Sequence, residues 1–425
     1  MSNLQLAVHF FAQIAIILVV CRLVGIVAKR VGQPQVVAEM IAGVLLGPSL
    51  FGLFWPELQQ WVFPWDATQQ TRDTQSYLFP ASQLGLALYM FVVGMEFRID
   101  IIRTQLKCSI AVSFAGMLAP FVLGAGLAWY LKNHSDLFPE NVTNTEAMLF
   151  LGASMCITAF PMLARIIHFK GLSGTTMGTV AIGAGAIDDA TAWCLLALVL
   201  ASFDQDLTIV IANIGGGAFY VAITLGVIRP ILSKLENRFV PGGKLSEAGL
   251  VVGIAMMSLG AWFTDMIGLH AVFGAFVMGA SMPRKLMSPQ LTERIEPLAV
   301  ALLLPLFFTY SGLNTKIGLL NSVTLWQYCI VVMIVAVLGK GVACWLAALA
   351  TGLPNREAMG IGTLMNARGL MELIIINIGL QRGIISEELF AILVIMAVAT
   401  TLMTSPLFDR LVGSKMPAVA SDGGQ

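Results

Sequence analysis

The segment that decides the fold reads Ala184-Gly185-Ala186-Ile187-Asp188-Asp189-Ala190-Thr191-Ala192-Trp193, near the middle of an apolar run over residues 175–203. Each carboxylate in such a run costs roughly a few kcal/mol at mid-membrane depth, so an ionisable residue there is by default a functional hypothesis whose partner is to be sought. Adjacent helix positions point about 100° apart. Asp188 can therefore face a neighbouring helix while Asp189 faces a water path, an arrangement that suits the exchange of a cation for protons.

The composition indicates an all-α polytopic membrane protein. Of 425 residues, 57% are hydrophobic and 11% are charged, against about 25% charged in soluble domains. Basic and acidic residues number 24 each, so the charge balance does not favour a nucleic-acid partner. The six cysteines lie in apolar segments without a CxxC pair, which indicates neither disulfides nor a metal centre. We expect no cofactor.

Hydropathy predicts about thirteen spans, at 6–28, 35–50, 78–97, 105–131, 146–168, 175–203, 207–229, 246–265, 268–282, 295–312, 325–350, 356–380 and 386–408. Lys and Arg concentrate at connections of one parity, and only Arg72, Lys132, Lys316 and Arg382 fall at the other. The positive-inside rule then places the N-terminus outside and the C-terminus in the cytoplasm. Residues 1–410 form the transmembrane domain, and 411–425 read as a short disordered tail that leaves no room for a nucleotide-binding regulator.

Two spans contain interruptions. Thr158-Ala159-Phe160-Pro161 interrupts 146–168, where a mid-span proline removes a backbone hydrogen bond, and Asn366-Ala367-Arg368-Gly369 interrupts 356–380. Irregular backbone at membrane depth is tolerated only against protein or water, and paired interrupted spans mark the binding site in many transporters. We expect both breaks, at Phe160-Pro161 and at Asn366 to Gly369, to lie beside Asp188 and Asp189.

Other ionisable residues of the spans have a functional and a structural interpretation. Lys340 lies mid-span in 325–350, either paired with Asp188 or reaching one interface as a structural lysine. Arg368 and Glu372 are one helical turn apart and either brace the break as an ion pair or take part in ion binding. Glu39 has no assignable partner. His168 at a span end is either a pH sensor or a solvated residue, and His270 reads as a helix-start residue.

Strings along nearly the whole chain resemble the monovalent cation:proton antiporter-2 family. They are Gly32–Val37 with Leu46–Leu50, Leu88–Glu96, Ile157–Arg165, His270–Arg284 and Asn366–Leu373. The resemblance implies an inverted-repeat, thirteen-helix homodimer with a scaffold (about 6–97 and 207–312) and a core (about 105–203 and 325–408). In that core two broken helices cross beside the acid motif.

The same resemblance implies roles for the charged residues. Relatives with paired acids, which Asp188 and Asp189 match, are generally electrogenic and favour Na⁺ without excluding K⁺. Lys340 matches the core lysine that pairs with the first acid. The chain differs from the Kef-type branch in lacking a nucleotide-sensing C-terminal domain.

These observations predict a secondary antiporter, not an enzyme, in a bacterial inner membrane, serving pH homeostasis. Cytoplasmic Na⁺ or K⁺ leaves as external protons enter by alternating access around Asp189, the cation ligand, and Thr158 supplies a hard oxygen. A proton and a cation compete for one carboxylate, and this competition couples the two fluxes. The alternatives are an electroneutral K⁺/H⁺ exchanger, a cation channel, and an intramembrane aspartyl hydrolase, which adjacent acids on one helix disfavour because they splay apart.

Overall fold

The computed structural model describes residues 3–64, 75–96, 105–172, 174–204, 207–313 and 317–413, apart from some side chains within helices. Every regular element in these ranges is helical, as predicted. The predicted tail from 414 onward, Arg72, Lys316 and the His168 side chain lie outside the described residues.

In the described part of the first half of the chain there are ten α-helices. They are α1 (Asn3–Arg30), α2 (Gln35–Leu46), α3 (Phe51–Phe54), α4 (Pro56–Val62), α5 (Gln75–Glu96), α6 (Leu106–His134), α7 (Asn144–Cys156), α8 (Phe160–Phe169), α9 (Thr176–Asp204) and α10 (Leu207–Ile223).

The second half contains α11 (Arg229–Phe239), α12 (Glu247–Met266), α13 (Ala271–Ser281), α14 (Met287–Leu298), α15 (Leu304–Leu313), α16 (Val323–Ala350), α17 (Asn355–Leu364), α18 (Leu370–Gln381) and α19 (Glu387–Leu411). Single π turns, Thr224–Ile228 and Ala299–Leu303, join α10 to α11 and α14 to α15, and 3₁₀ turns occupy Pro241–Gly243 and Ile317–Leu319.

Among the described residues, nine helices are long and apolar enough to cross a membrane. The predicted spans 146–168, 175–203, 268–282 and 356–380 are not among these nine, so the count of thirteen stays a prediction. Two predicted boundaries differ from the structure by more than a few residues: the helix predicted to end at 229 continues to Phe239, and the one predicted to begin at 295 begins at Met287. Hydropathy detects the apolar part of a helix, whereas the helix itself continues as an amphipathic segment.

Side-chain caps explain where several spans begin. Thr143 and Glu146 form a capping box before α7, and Ser322 and Ser386 each accept a backbone N–H in the first turns of α16 and α19. Such caps satisfy N–H groups that have no partner within the helix. His270 caps α13 by accepting from the N–H of Val272 at 3.4 Å, which confirms its prediction as a helix-start residue.

The chain divides into two compact units, of which unit 1 comprises Met1–Val24, Ala42–Phe97 and Leu200–Asn314. Its helices approach through glycines: a Cβ on Gly312 would collide with the carbonyl oxygen of Gly43, and one on Gly43 with that of Phe308. Small residues permit such backbone contact where no hydrophobic effect drives helix association. An apolar cluster packs around this contact and includes Ile17, Cys21, Ala42, Leu46, Val62, Phe63, Leu78, Leu306, Tyr310 and Leu313.

Unit 2 comprises Gly25–Ile41, Arg98–Val199 and Thr315–Gln425, and it contains the paired acids and both interruptions. Its apolar core draws on α6, α8, α9, α16, α17 and α19, for example Val112, Ile166, Val180, Cys344, Ile361 and Phe408. At one end of this unit Lys170, just after α8, donates to both carboxylate oxygens of Asp409 on α19, at 2.8 and 2.7 Å. This ion pair ties the end of α8 to the last turns of α19.

Replacing Gly312 with alanine should destabilise unit 1, because the added Cβ meets the Gly43 carbonyl and overpacking costs about 1–3 kcal/mol. Thermal melting in detergent measures the loss. Gly126→Ala on α6 is the matched control, since a Cβ there meets nothing within 4 Å and alanine favours a helix by about 1 kcal/mol over glycine. Equal melting temperatures for both variants would contradict the close approach.

Candidate ion-binding site

The first interruption separates α7 from α8. Helix α7 ends at Cys156, residues 157–159 are non-helical, and α8 begins at Phe160. The break thus lies just before the predicted Phe160-Pro161 position. Pro161 occupies the second position of α8, where a missing N–H costs nothing and a fixed φ favours helix initiation. Proline here starts the second half-helix and does not disrupt the middle of a continuous one.

The second interruption separates α17 from α18. After Leu364, Asn366 lies in a turn and Gly369 directly precedes α18 with φ 157° and ψ −118°, a combination that is essentially restricted to glycine. Thr401 on α19 satisfies the irregular backbone twice. Its hydroxyl accepts from the Arg368 N–H at 3.0 Å and donates to the Arg368 carbonyl at 2.6 Å.

The two interruptions meet. The backbone N–H of Ala159 donates to the carbonyl of Ala367 at 3.3 Å, and a Cβ on Gly369 would lie 3.0 Å from Cγ of Met162. Residues 157–159 and 365–369, hereafter the crossing, therefore contact each other through the main chain, and Gly369 packs closely against α8.

Two buried cations complete the broken end of α7. Lys340 on α16 donates to the carbonyl of Cys156, and Arg368 donates to that of Ser154 at 3.4 Å. The last carbonyls of a helix lack partners within it and carry partial negative charge. Both side chains are 0% exposed, so these carbonyls obtain from Lys340 and Arg368 the donors that water would otherwise supply.

Asp188 is fully engaged by neighbouring donors. Its Oδ1 accepts from the Ser113 hydroxyl on α6 at 2.6 Å, and its Oδ2 accepts from the Thr158 hydroxyl at 2.5 Å and from Lys340 Nζ at 3.2 Å. The three donors come from α6, the crossing and α16. Asp188 thus joins those elements through a charge-balanced, hydrogen-bonded contact.

Asp189 has the opposite environment although it is the next residue. It is 1% exposed, and neither carboxylate oxygen has a hydrogen-bond partner among the described residues. An isolated charge in an apolar interior is very costly. This carboxyl group must therefore bind a proton, a cation or water to be stable where it lies.

Arg368 and Glu372 form an ion pair at 3.3 Å, and Arg368 also donates to the Ala336 carbonyl at 3.3 Å. With its bond to Ser154, Arg368 connects the second break, α7 and α16. These contacts agree with the bracing interpretation. Glu372 Oε2 and Asn366 Oδ1 have no hydrogen-bond partner among the described residues.

A cavity of about 330 Å³ opens between α6 and α9 within unit 2. Its lining includes Ser113 and Cys156, both of which contact the Asp188–Lys340 pair, and Thr191, one turn beyond the acids on α9. The cavity therefore extends to the edge of the buried charge network.

The structure thus brings Asp188, Thr158 and Lys340 together, leaves Asp189 unpaired beside them, and places Arg368 and Glu372 at the second break. Sequence reasoning missed Ser113 and Thr401, whose hydroxyls look like ordinary packing residues in apolar spans. Among the residues searched, those that the structure describes, no group of three or more His, Cys, Asp and Glu side chains could hold a metal ion.

An all-helical membrane protein in which two interrupted helices cross beside buried, unequal carboxylates has the architecture of a small-cation carrier. The family model described as sodium/hydrogen exchanger, transmembrane, matches residues 15–410. The chain belongs to this family. It is an integral membrane transporter and not an enzyme, which removes the hydrolase alternative and confirms the resemblance to cation:proton antiporters.

Relatives and solved structures agree with this assignment. The chain is 39% identical over 402 residues to the Na(+)/H(+) antiporter NhaS4 of Synechocystis, covering 94% of this chain and 96% of that protein. It is 35% identical to cation/H(+) antiporter 18 of Arabidopsis thaliana, covering 93% of this chain and 48% of the longer plant protein. The sodium proton antiporter MjNhaP1 of Methanocaldococcus jannaschii shares the fold, with a TM-score of 0.69 at 14% identity over 95% of this chain and 96% of that one.

Removing Lys340 alone should destabilise the protein strongly. Lys340→Ala leaves Asp188 charged and desolvated, which costs about 3–5 kcal/mol, and thermal melting in detergent should show a large drop. Lys244→Ala, at an exposed lysine, is the matched control and should melt like the wild type.

The double variant Asp188→Asn/Lys340→Gln should recover part of this loss, because it removes both charges together. If the double variant loses the sum of the losses measured for Asp188→Asn alone and Lys340→Gln alone, the side chains are not energetically coupled.

Proposed function

We propose that this protein is a secondary active antiporter that exports a cytoplasmic monovalent cation, Na⁺ by preference, in exchange for external protons. The observation that carries the proposal is Asp189, a buried carboxylate without a hydrogen-bond partner among the described residues, beside an Asp188 already neutralised by Lys340. With Asp188 paired to Lys340 in this state, Asp189 is left to bind the transported cation. The sodium/proton antiport named for the Synechocystis relative supports Na⁺ as the cation.

Coupling follows from competition at Asp189. The protonated carboxyl group is neutral and does not hold a bare cation, and a bound cation favours the ionised form. Each occupant therefore excludes the other, and the cation and the proton cross in opposite directions. The Thr158 hydroxyl donates its hydrogen to Asp188 at 2.5 Å, and its oxygen keeps lone pairs with which it can also act as a cation ligand.

The crossing supports alternating access. Half-helices that meet at mid-membrane can move as short rigid bodies, and one 3.3 Å backbone bond, Ala159 to Ala367, joins the two irregular segments in the described structure. We propose that α8 and α18 change position around Asp189, which opens the site first to one side of the membrane and then to the other.

The remaining parts of the proposal concern assembly and orientation. The protein lies in a bacterial inner membrane with its N-terminus outside and its C-terminus in the cytoplasm, and it functions as a homodimer with a core of about 105–203 and 325–408. The bias of Lys and Arg toward connections of one parity supports the orientation.

Asp189→Asn should abolish exchange while leaving the protein folded. Asparagine neither ionises nor competes for protons, so cation-driven proton movement in proteoliposomes containing a pH-sensitive dye should fall to background. The matched control is Asp136→Asn, at an exposed position after α6, which should exchange like the wild type. Retained proton flux on Na⁺ addition in a correctly folded Asp189→Asn would refute the assignment of the site.

Transport should be electrogenic. If Asp188 and Asp189 together release two protons per cation as Lys340 changes partner, each cycle moves one net charge inward. That charge gains about 2.3 kcal/mol per 100 mV, enough to offset a roughly fiftyfold cation gradient at 1.4 kcal/mol per factor of ten. Na⁺ efflux from vesicles clamped with valinomycin and K⁺ should accelerate at negative-inside potential. Equal rates and equal final gradients at zero and negative potential would instead establish the electroneutral alternative.

A further inference from the structure

Helix α2 contains one acidic residue, Glu39, which the exchange cycle around Asp189 does not use. It is 2% exposed in the apolar sequence QVVAEMIAGVLL, where an uncompensated carboxylate is costly. Gln35, one turn earlier, hydrogen-bonds to it, and Arg165 on α8 attracts it electrostatically. Its Oε2 has no hydrogen-bond partner among the described residues. One carboxylate oxygen is therefore buried and available for a proton.

Helix α8 has two faces with different surroundings. Phe160 and Leu163, three residues apart, face α9, because a Cβ on Gly185 would lie 3.5 Å from Phe160 Cδ2 and 2.8 Å from Leu163 Cδ2. Met162 and Arg165, also three residues apart, lie on a different face of the helix.

This second face of α8 is directed toward α2 and the crossing. A Cβ on Gly369 would approach both Met162 and Met40, which follows Glu39 on α2, and Arg165 is the cation that attracts Glu39. Helix α8 thus presents one face to the acid-bearing helix α9 and another to Glu39.

We propose that Glu39 is a second proton-binding carboxylate, distinct from Asp189, and that its proton controls the position of α8 through Arg165. Ionised Glu39 attracts the Arg165 guanidinium and holds α8 against α2. A proton taken from water onto the free oxygen cancels that attraction, and α8 is then able to move at the crossing. The group facing Glu39 from α8 is Arg165, and that on its own helix is the uncharged Gln35. This inference rests on the proposed exchange function, because it assigns a control to that exchange.

Proton binding at Glu39 has a direct readout that does not depend on transport. Infrared difference spectra of the purified protein between acidic and alkaline pH report the carbonyl band of protonated carboxyl groups. Glu39→Gln should lose one component of that band, whereas Glu247→Gln, at an exposed first-turn position of α12, should keep it. Arg165→Gln should displace the pH at which this component appears, and Arg165→Lys, which keeps a cation, should displace it less.

Transport supplies the second readout. In proteoliposomes Glu39→Gln should still exchange Na⁺ for protons, because Asp189 is intact, but its rate should depend less steeply on pH than that of the wild type. Glu39→Asp retains a titrating group and should restore the steeper profile. If Glu39→Gln folds poorly, the Glu39→Asp and Arg165 variants carry the test through their band positions and pH profiles.

Two results would overturn the proposal. Spectra and pH profiles of Glu39→Gln that superimpose on those of the wild type would show that Glu39 binds no proton in this range. If Glu39→Gln lost exchange completely at every pH while keeping the melting temperature of the wild type, Glu39 would lie in the transport path itself. An inactive wild type whose infrared component still disappears in Glu39→Gln would refute the exchange function and leave the proton site standing.

Discussion

Unit 2 depends on one buried ammonium group. Lys340 donates both to the last carbonyl of α7 and to Asp188, so a single side chain supplies the donor that a broken helix end lacks and the charge that a buried acid needs. Each task is expensive to leave undone in an apolar interior. Because Lys340 performs both tasks, the interruption of α7 and the first acid of α9 depend on the same side chain. Neither is stable at its position without Lys340.

The consequence is a division of labour between neighbouring acids. Asp188 points into a cage of donors from α6, the crossing and α16, whereas Asp189, turned by about 100° around the helix, meets none of them. Adjacent positions on a helix necessarily face different surroundings, so two identical residues acquire different chemistry without any difference in side chain. The cation therefore competes with a proton at Asp189, whereas Asp188 preserves the structure around the site for as long as Lys340 is paired with it.

Part of this arrangement could be predicted from the sequence because charge in an apolar span is rare enough to be informative. Asp188, Asp189, Lys340, Arg368 and Glu372 all follow from that rule, and the two interruptions follow from a mid-span proline and from a polar string that contains glycine. The position of the first break could not be read from Pro161, because proline both disrupts helices and starts them. The roles of Ser113 and Thr401 were invisible, since a hydroxyl satisfies itself cheaply within a helix, and the partner of Glu39 lies on a helix distant in sequence. Helix lengths were underestimated where an amphipathic segment precedes or follows the apolar one.

The ion pair between Lys170 and Asp409 makes the contact between α8 and α19 sensitive to the solution conditions. Its side chains are 11% and 35% exposed, so dissolved ions weaken their attraction far more than that of the enclosed Asp188–Lys340 pair. Salt concentration thereby acts on the protein in two separable ways. It sets the concentration of the transported cation, and it weakens the ion pair that connects α8 to α19. A salt whose ions the protein does not carry changes only the screening of this ion pair. The strength of the contact between α8 and α19 is then set by the ionic strength of the medium.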